Sequence, residues 1–220
     1  MKSEIQKILN KKELEVIKKL SNPQKIQDFL DKLPFNFESN GETYMSPRRV
    51  LNERKAHCFE GAIFAHFCLT YHGFKNFLVD LKVKKSAKDD FDHTISIFEQ
   101  NGFWGAISKT NHSVLRWRDP IYKDPRELAV SYFHEYFLDD GVKTLDSYSK
   151  PFNVFRKFNL DWITSLKDLD KVALHLDHSL HFKFVPTKNK KMIRKVGKVE
   201  VKGSLVAEWR QIGSKVRKML

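Results

Sequence analysis

The chain has 220 residues, with 40 Lys and Arg against 27 Asp and Glu, a net charge of +13 and a pI of about 9.6. Its hydrophobic content of 41%, including 18 phenylalanines, is enough for a full core in one domain with extensions, or a domain and a half. No apolar run is long enough to span a bilayer, and the N-terminal stretch MKSEIQKILNKKELEVIKKL lacks the apolar region of a signal peptide. The only two cysteines, Cys58 and Cys68, fall on one predicted helix, which argues against a disulfide framework. A cytoplasmic, reduced protein is expected. The charge is uneven: residues 183–220 carry twelve Lys/Arg and two Glu, so +10 of the +13 lies in that tail.

In chain order, Asn10-Lys11-Lys12-Glu13 has the form of a capping box, followed by the apolar stripe Leu14, Ile17, Leu20. Asn22-Pro23 opens a second helix to about Lys32, which Leu33-Pro34 ends. Ser46-Pro47 opens a short helix, RRVLNERK, leading into a longer one over Cys58–His72 that stops at Gly73. Cys58, Gly61, Ala62, Ala65 and Leu69 share a small-residue face of this helix, which a sheet can approach closely. Phe59, Ile63, Phe64 and Phe67 cover much of the rest, so burial on several sides is expected.

NFLVDLKV (76–83) reads as a strand, and KKSAKDDFD (84–92) as a polar loop. Asn101-Gly102 is a two-residue turn signal between alternating runs. With that turn, Gln100 pairs with Phe103, Ile97 with Ala106, Ile95 with Ser108 and His93 with Thr110. Opposed residues share a sheet face, so His93 lies diagonally beside Ser108 on a face whose apolar members pack on a helix. A one-residue slip would reverse this face.

Asp124-Pro125-Arg126-Glu127 combines a cap, an N1 proline and an N3 glutamate and predicts a helix to about Phe137. SYSKPFNVFRKF (147–158) reads as a loop anchored by phenylalanines, Ser165–Asp168 as the start of a helix to about Leu180, and Ser204 onward as a final helix. In that last helix Val206, Trp209, Ile212 and Val216 form a docking stripe.

A thiol in the first turn of a helix sits near unpaired N–H groups and the positive end of the helix dipole. At an ordinary pKa of about 8.5 only a few per cent is thiolate at neutral pH; a shift to about 6 makes roughly 90% thiolate and needs about 3 kcal/mol. The dipole supplies about 0.3–1 kcal/mol, so a nearby imidazolium must supply most of it. His93, at the start of the strand that follows, is the candidate. Cys68, on another face, reads as a buried small hydrophobe.

The residues His57-Cys58-Phe59-Glu60-Gly61-Ala62, Asp92-His93-Thr94-Ile95-Ser96-Ile97 and Gly102-Phe103-Trp104-Gly105-Ala106-Ile107-Ser108 follow the order helix with N-terminal Cys, strand opening with His, strand with Trp. This arrangement resembles the transglutaminase-like superfamily, a papain-like thiol fold, over roughly Pro47 to Asp119, about a third of the chain. The resemblance implies an α+β fold with a Cys-bearing helix packed on a small antiparallel sheet and flanking helices at both ends. It implies Cys58 as nucleophile, His93 as base and Ser108 at the position where the family usually has an Asp four residues after the Trp. Asn111 and Asp119 are possible substitutes for that carboxylate. The Cys58 N–H would be one oxyanion donor, with Asn52 a guess for the second.

The expected organisation is a helical extension over 1–45, a transglutaminase-like domain over 46–182 and a basic extension over 183–220. The expected function is a cysteine-dependent amide hydrolase or acyltransferase on a peptide or amide substrate. The competing expectation is an inactive binding protein of the same fold, because Ser108 carries no charge to stabilise an imidazolium. The basic tail is a candidate for nucleic acid or an anionic surface, and Lys109, Arg116 and Arg118 hint at an acidic ligand. No cofactor or metal is expected: His175, His178 and His181, and separately His57, Cys58, His66 and Cys68, lack CxxC or HExxH spacing.

Overall fold

Side-chain caps set most of the helix starts. The computed structural model describes residues 1–87 and 90–219. It begins with α1 (Lys2–Ile8) and α2 (Lys11–Lys19). The predicted capping box opens α2: Glu13 N–H donates to Asn10 Oδ1 at 2.9 Å, and Asn10 N–H donates to Glu13 Oε2 at 2.8 Å. Asn22 caps α3 (Pro23–Asp31), and Ser46 caps α4 (Pro47–Glu53), each with proline at the first helical position. Arg48 of α4 grips Glu13 through Nε at 2.6 Å and Nη2 at 3.0 Å, so the cap of α2 also anchors α4.

The long helix α5 (Cys58–Tyr71) is buried on nearly every side, as its all-round apolar sequence predicts. Behind it stands an antiparallel sheet ordered β4-β3-β2-β1-β5-β6, from β1 (Asn76–Val83), β2 (His93–Gln100), β3 (Phe103–Ile107), β4 (Arg118–Tyr122), β5 (Leu145–Ser149) and β6 (His181–Lys183). Between these strands lie α6 (Pro125–Val130), α7 (Asp161–Thr164) and α8 (Asp170–Asp177), and the chain ends in α9 (Lys198–Ser204), β7 (Trp209–Ile212) and β8 (Lys215–Lys218). The protein is α+β, with a small antiparallel sheet and several helices. No described helix is long and apolar enough to cross a membrane.

The β2–β3 hairpin has the predicted register, with Gln100 opposite Phe103 and Ile97 opposite Ala106. Asn101 at φ 53° and Gly102 at φ 84° make the left-handed turn that Asn-Gly favours. Alternation then splits the sheet between two cores. Leu78, Phe98 and Ile107 join α5 and the N-terminal helices through Ile5, Ile17, Ile26 and Leu30. Val79, Ile95, Ile97 and Ala106 face the other way, against Leu128, Ala129 and Tyr132. The apolar face predicted to meet a helix therefore meets α6, while the opposite face receives α5.

Four elements differ from the sequence reading. The helix from Asp124 stops at Val130 and gives way to a 3-10 turn at Phe133–Glu135, where the Ser131 hydroxyl donates to Leu128 O at 2.7 Å. The segment read as a loop at 147–158 begins inside β5, whose Ser149 accepts from Asp80 N–H at 2.9 Å. Ser165 does not start a helix: its hydroxyl accepts from Lys167 N–H at 3.1 Å, and the Asp168 side chain is drawn away to Tyr44 N–H at 2.8 Å. The final helix from Ser204 is a hairpin, β7–β8, turned at Gly213 with φ 61°. Trp209 docks, but Val206, Ile212 and Val216 are well exposed. Positions spaced by three and four gave a helical stripe, whereas the chain reverses at a glycine that only local backbone conformation reveals. Residues 88 and 89 of the predicted loop lie outside the described residues.

One buried group makes stability depend on pH. His66 of α5 is fully buried, donates from Nδ1 to Asn76 Oδ1 at 2.5 Å and accepts at Nε2 from Val154 N–H at 3.3 Å. Both partners fit a neutral ring, and burial pulls its pKa down from 6.5 to about 4. The folded-state value is depressed, so the unfolded chain binds the proton first. The stability held above pH 6.5 is then lost as pH falls towards 4, by roughly 3 kcal/mol. Denaturant titrations between pH 7 and 4 should show that decline, and His66→Gln should flatten it.

Candidate functional site

Cys58 is the first residue of α5 and is half-buried. Its N–H, at the helix start, has no intrahelical acceptor. The residue before it, His57, is the N-cap: its Nδ1 accepts from Phe59 N–H at 3.3 Å. Glu60 completes a reciprocal box by accepting from His57 N–H at 2.9 Å. The carboxylate of Glu60 is fully buried and also accepts from Thr43 Oγ1 at 2.8 Å, Met45 N–H at 3.2 Å and Asn36 Nδ2 at 3.1 Å. These bonds pull the 36–46 segment over the helix start. Sequence reading quoted His57 and Glu60 but gave them no role; the spacing His57-x-x-Glu60 is a capping-box spacing with histidine in place of serine or threonine.

His93 opens β2 and is buried. Its Nε2 lies 2.8 Å from Ser108 Oγ. The Ser108 hydroxyl donates to Leu115 O at 2.6 Å, so its oxygen is left to accept from the ring. This fixes the proton on Nε2 and leaves Nδ1 as the free nitrogen. The structure thus brings His93 and Ser108 together, next to the Cys58 thiol. Burial raises the thiol pKa, but hydrogen bonds and charge from His57 and His93 outweigh it, and Cys58 lies well below the ordinary thiol range. Among the described residues, His57 Nδ1 satisfies hydrogen-bond geometry at Sγ, at 3.9 Å.

The proposed stand-ins for a carboxylate are engaged elsewhere. Asn111 pairs reciprocally with Trp209, its Oδ1 accepting from Trp209 N–H at 2.7 Å and its Nδ2 donating to Trp209 O at 2.9 Å. Asp119 accepts from Trp117 Nε1 at 2.8 Å. Asn52 is exposed on α4.

The three cations that hinted at an acidic ligand also have internal partners. Lys109 is buried, and its Nζ donates to the carbonyls of Leu30 at 2.9 Å and Leu33 at 2.5 Å. It neutralises the C-terminal end of α3, and burial pulls its pKa down from 10.5 to about 8. Arg116 binds Glu208 at 2.7 Å, and Arg118 binds Glu135. Of the histidines spaced by three, His175 lies against Phe152 and Phe158, His178 is exposed, and His181 sits in β6 with Nε2 3.1 Å from Asp80. Cys68 is buried, and burial pushes its thiol pKa up.

No protein-family model matches the chain, and no curated protein matches it. Among solved structures, the chain is similar to arylamine N-acetyltransferase C from Bacillus anthracis, with 19% identity and a TM-score of 0.36. That likeness covers 49% of this chain and 52% of the other, so the chain spans about half the length of the structure it matches.

Lys109 also explains a glycine. A Cβ at Gly61 would lie 2.3 Å from Lys109 Cβ, the root of a side chain that cannot swing away. Gly61→Ala should cost about 1–3 kcal/mol by overpacking, read as a lower melting temperature with the helix content of the folded state unchanged.

Proposed function

We propose that the protein is a thiol-dependent acyl-transfer enzyme, an amide hydrolase or acyltransferase of papain-like design, with Cys58 as nucleophile, His93 as base and Ser108 as the group that orients the base. The observation that carries the reading is the chain Leu115 O, Ser108 Oγ, His93 Nε2, with bonds of 2.6 and 2.8 Å. It commits Nε2 of the imidazole and leaves Nδ1 free, and His93 is one of the groups that depress the Cys58 thiol pKa.

In this reading the Cys58 proton moves to His93 Nδ1. The thiolate attacks the acyl carbon, forming a C–S bond, and the Cys58 N–H donates to the developing oxyanion. The C–N bond of an amide then breaks as His93 returns its proton to the leaving nitrogen. Water or an acceptor nucleophile gives a proton back to His93 as it attacks the thioester, and the thiolate leaves.

Ser108 supplies orientation without charge. A carboxylate at the equivalent place of a triad is worth about four orders of magnitude, so a slower enzyme than a full triad is expected. Glu60 and Glu38 lie 3.4 and 3.5 Å from His57 Nε2, where they favour a cationic ring beside the thiol. The extensions at 1–45 and 183–220 are proposed to flank this domain. The alternative of an inactive binding protein rests on Ser108 alone, and the low thiol pKa favours activity.

An activated ester tests the reading. With p-nitrophenyl acetate the wild type should release p-nitrophenol in a burst and leave an acetyl group on the Cys58 peptide. Ser108→Ala should slow that step by about 10–100-fold through misplacement of the ring. Absence of an adduct on Cys58 would make this an inactive site.

A further inference from the structure

The thiol at Cys58 has a second imidazole beside it. We propose that His57 is a positioning residue for the Cys58 thiolate, a second imidazole that donates from Nδ1 to Sγ and holds the thiolate whenever His93 has given its proton away. This rests on the reading of Cys58 as the nucleophile.

The geometry is specific. His57 Nδ1 has two partners that require opposite protonation: Phe59 N–H at 3.3 Å, to which it must accept, and Cys58 Sγ at 3.9 Å, to which a protonated ring donates. The other nitrogen does not choose. Nε2 donates to Thr43 O at 2.7 Å in either state. So protonation changes what Nδ1 does without moving the ring.

The surroundings favour the cation. His57 is faced by Glu60 from its own helix, Oε1 at 3.4 Å from Nε2, and by Glu38 from the 36–46 segment, Oε1 at 3.5 Å. His93 of β2 shares the site with the thiol, and His112, Tyr136, Asp90, Asp92 and Asp80 are further titratable groups whose charges act there. Burial pulls the His57 pKa down, but Cys58, then Glu60 and the Thr43 carbonyl, outweigh it and raise it to about 10. In this proposal the ring is cationic at neutral pH, and Nδ1 then serves the sulfur in place of the Phe59 N–H that it accepts from in the neutral form.

The chemistry explains why two imidazoles are useful. During acylation His93 loses its proton to the leaving nitrogen and can no longer stabilise negative sulfur. When the thioester is later opened, the C–S bond breaks with its electron pair on sulfur. His57 keeps its Nδ1 proton throughout, so a donor is already in place for the departing thiolate. It transfers no proton and touches no substrate. It acts on the thiolate, not on the His93 imidazolium that a carboxylate at Ser108 would stabilise.

The test is the pH dependence of Cys58 alkylation by iodoacetamide in wild type, His57→Asn and His93→Ala. Asparagine is a good N-cap, so His57→Asn keeps the helix start, and its melting temperature is recorded alongside. The expected result is an upward shift of about one unit in His57→Asn, read as an alkylation rate about tenfold lower at pH values below both pKa values, and a residual depressed profile in His93→Ala. An unchanged profile in His57→Asn would overturn the role of His57. Should that variant not fold, NMR titration of the His57 ring in wild type and Cys58→Ser decides. Titration near 10 in the wild type, falling in Cys58→Ser, supports the proposal; titration at or below the ordinary value in the wild type overturns it. The reading of the enzyme itself fails separately, if His93→Ala acetylates Cys58 as fast as wild type.

Discussion

A buried carboxylate organises this site. Glu60 has no solvent exposure, and an unpaired charge in that position costs several kcal/mol. The chain meets the cost with donors from four residues, His57 N–H, Met45 N–H, Thr43 Oγ1 and Asn36 Nδ2. Satisfying Glu60 has structural consequences. It ends the approach to α5 at His57, places Thr43 where its carbonyl receives His57 Nε2, and closes the 36–46 segment over the first turn. The thiol then sits at a helix N-terminus beside the His57 imidazole, with His93 among the groups that lower its pKa.

The second support is the long helix itself. α5 fills the space between the N-terminal helices and the sheet, with Ile5, Ile26 and Leu30 on one side and Leu78, Phe98 and Ile107 on the other. Its all-round burial fixes where the first turn lies against β2. Lys109, passing Gly61 to reach the carbonyl end of α3, holds the third helix to the same unit. A rigid scaffold of this kind is what lets a 2.8 Å contact between His93 and Ser108 be reproduced from molecule to molecule.

Much of this was legible from short-range chemistry. Asn10, Asn22, Ser46 and Asp124 cap the helices they were expected to cap, and Asn101-Gly102 set the register that puts His93 by Ser108. Signals of this kind act within four residues and survive in the sequence. Two things did not. The partners of Lys109, Arg116 and Arg118 come from residues far along the chain, and a basic residue looks the same whether it is free or buried against a helix end. The hairpin at 209–218 was read as a helix because its apolar residues coincide with helical spacing. His57 was quoted and passed over, since a histidine beside a cysteine is unremarkable until Glu60 and Thr43 show which nitrogen is committed.

The central claim is that the Cys58 thiol is activated by His93. The direct measurement is the rate of iodoacetamide alkylation against pH, with mass spectrometry to locate the modified cysteine, in wild type and His93→Ala. The account predicts fast labelling of Cys58, with little at buried Cys68, an apparent pKa well below that of an ordinary thiol, and a clear upward shift in the variant. Slow labelling with an ordinary thiol pKa, or a profile indifferent to the loss of His93, would contradict it and make Cys58 a core residue at a helix start.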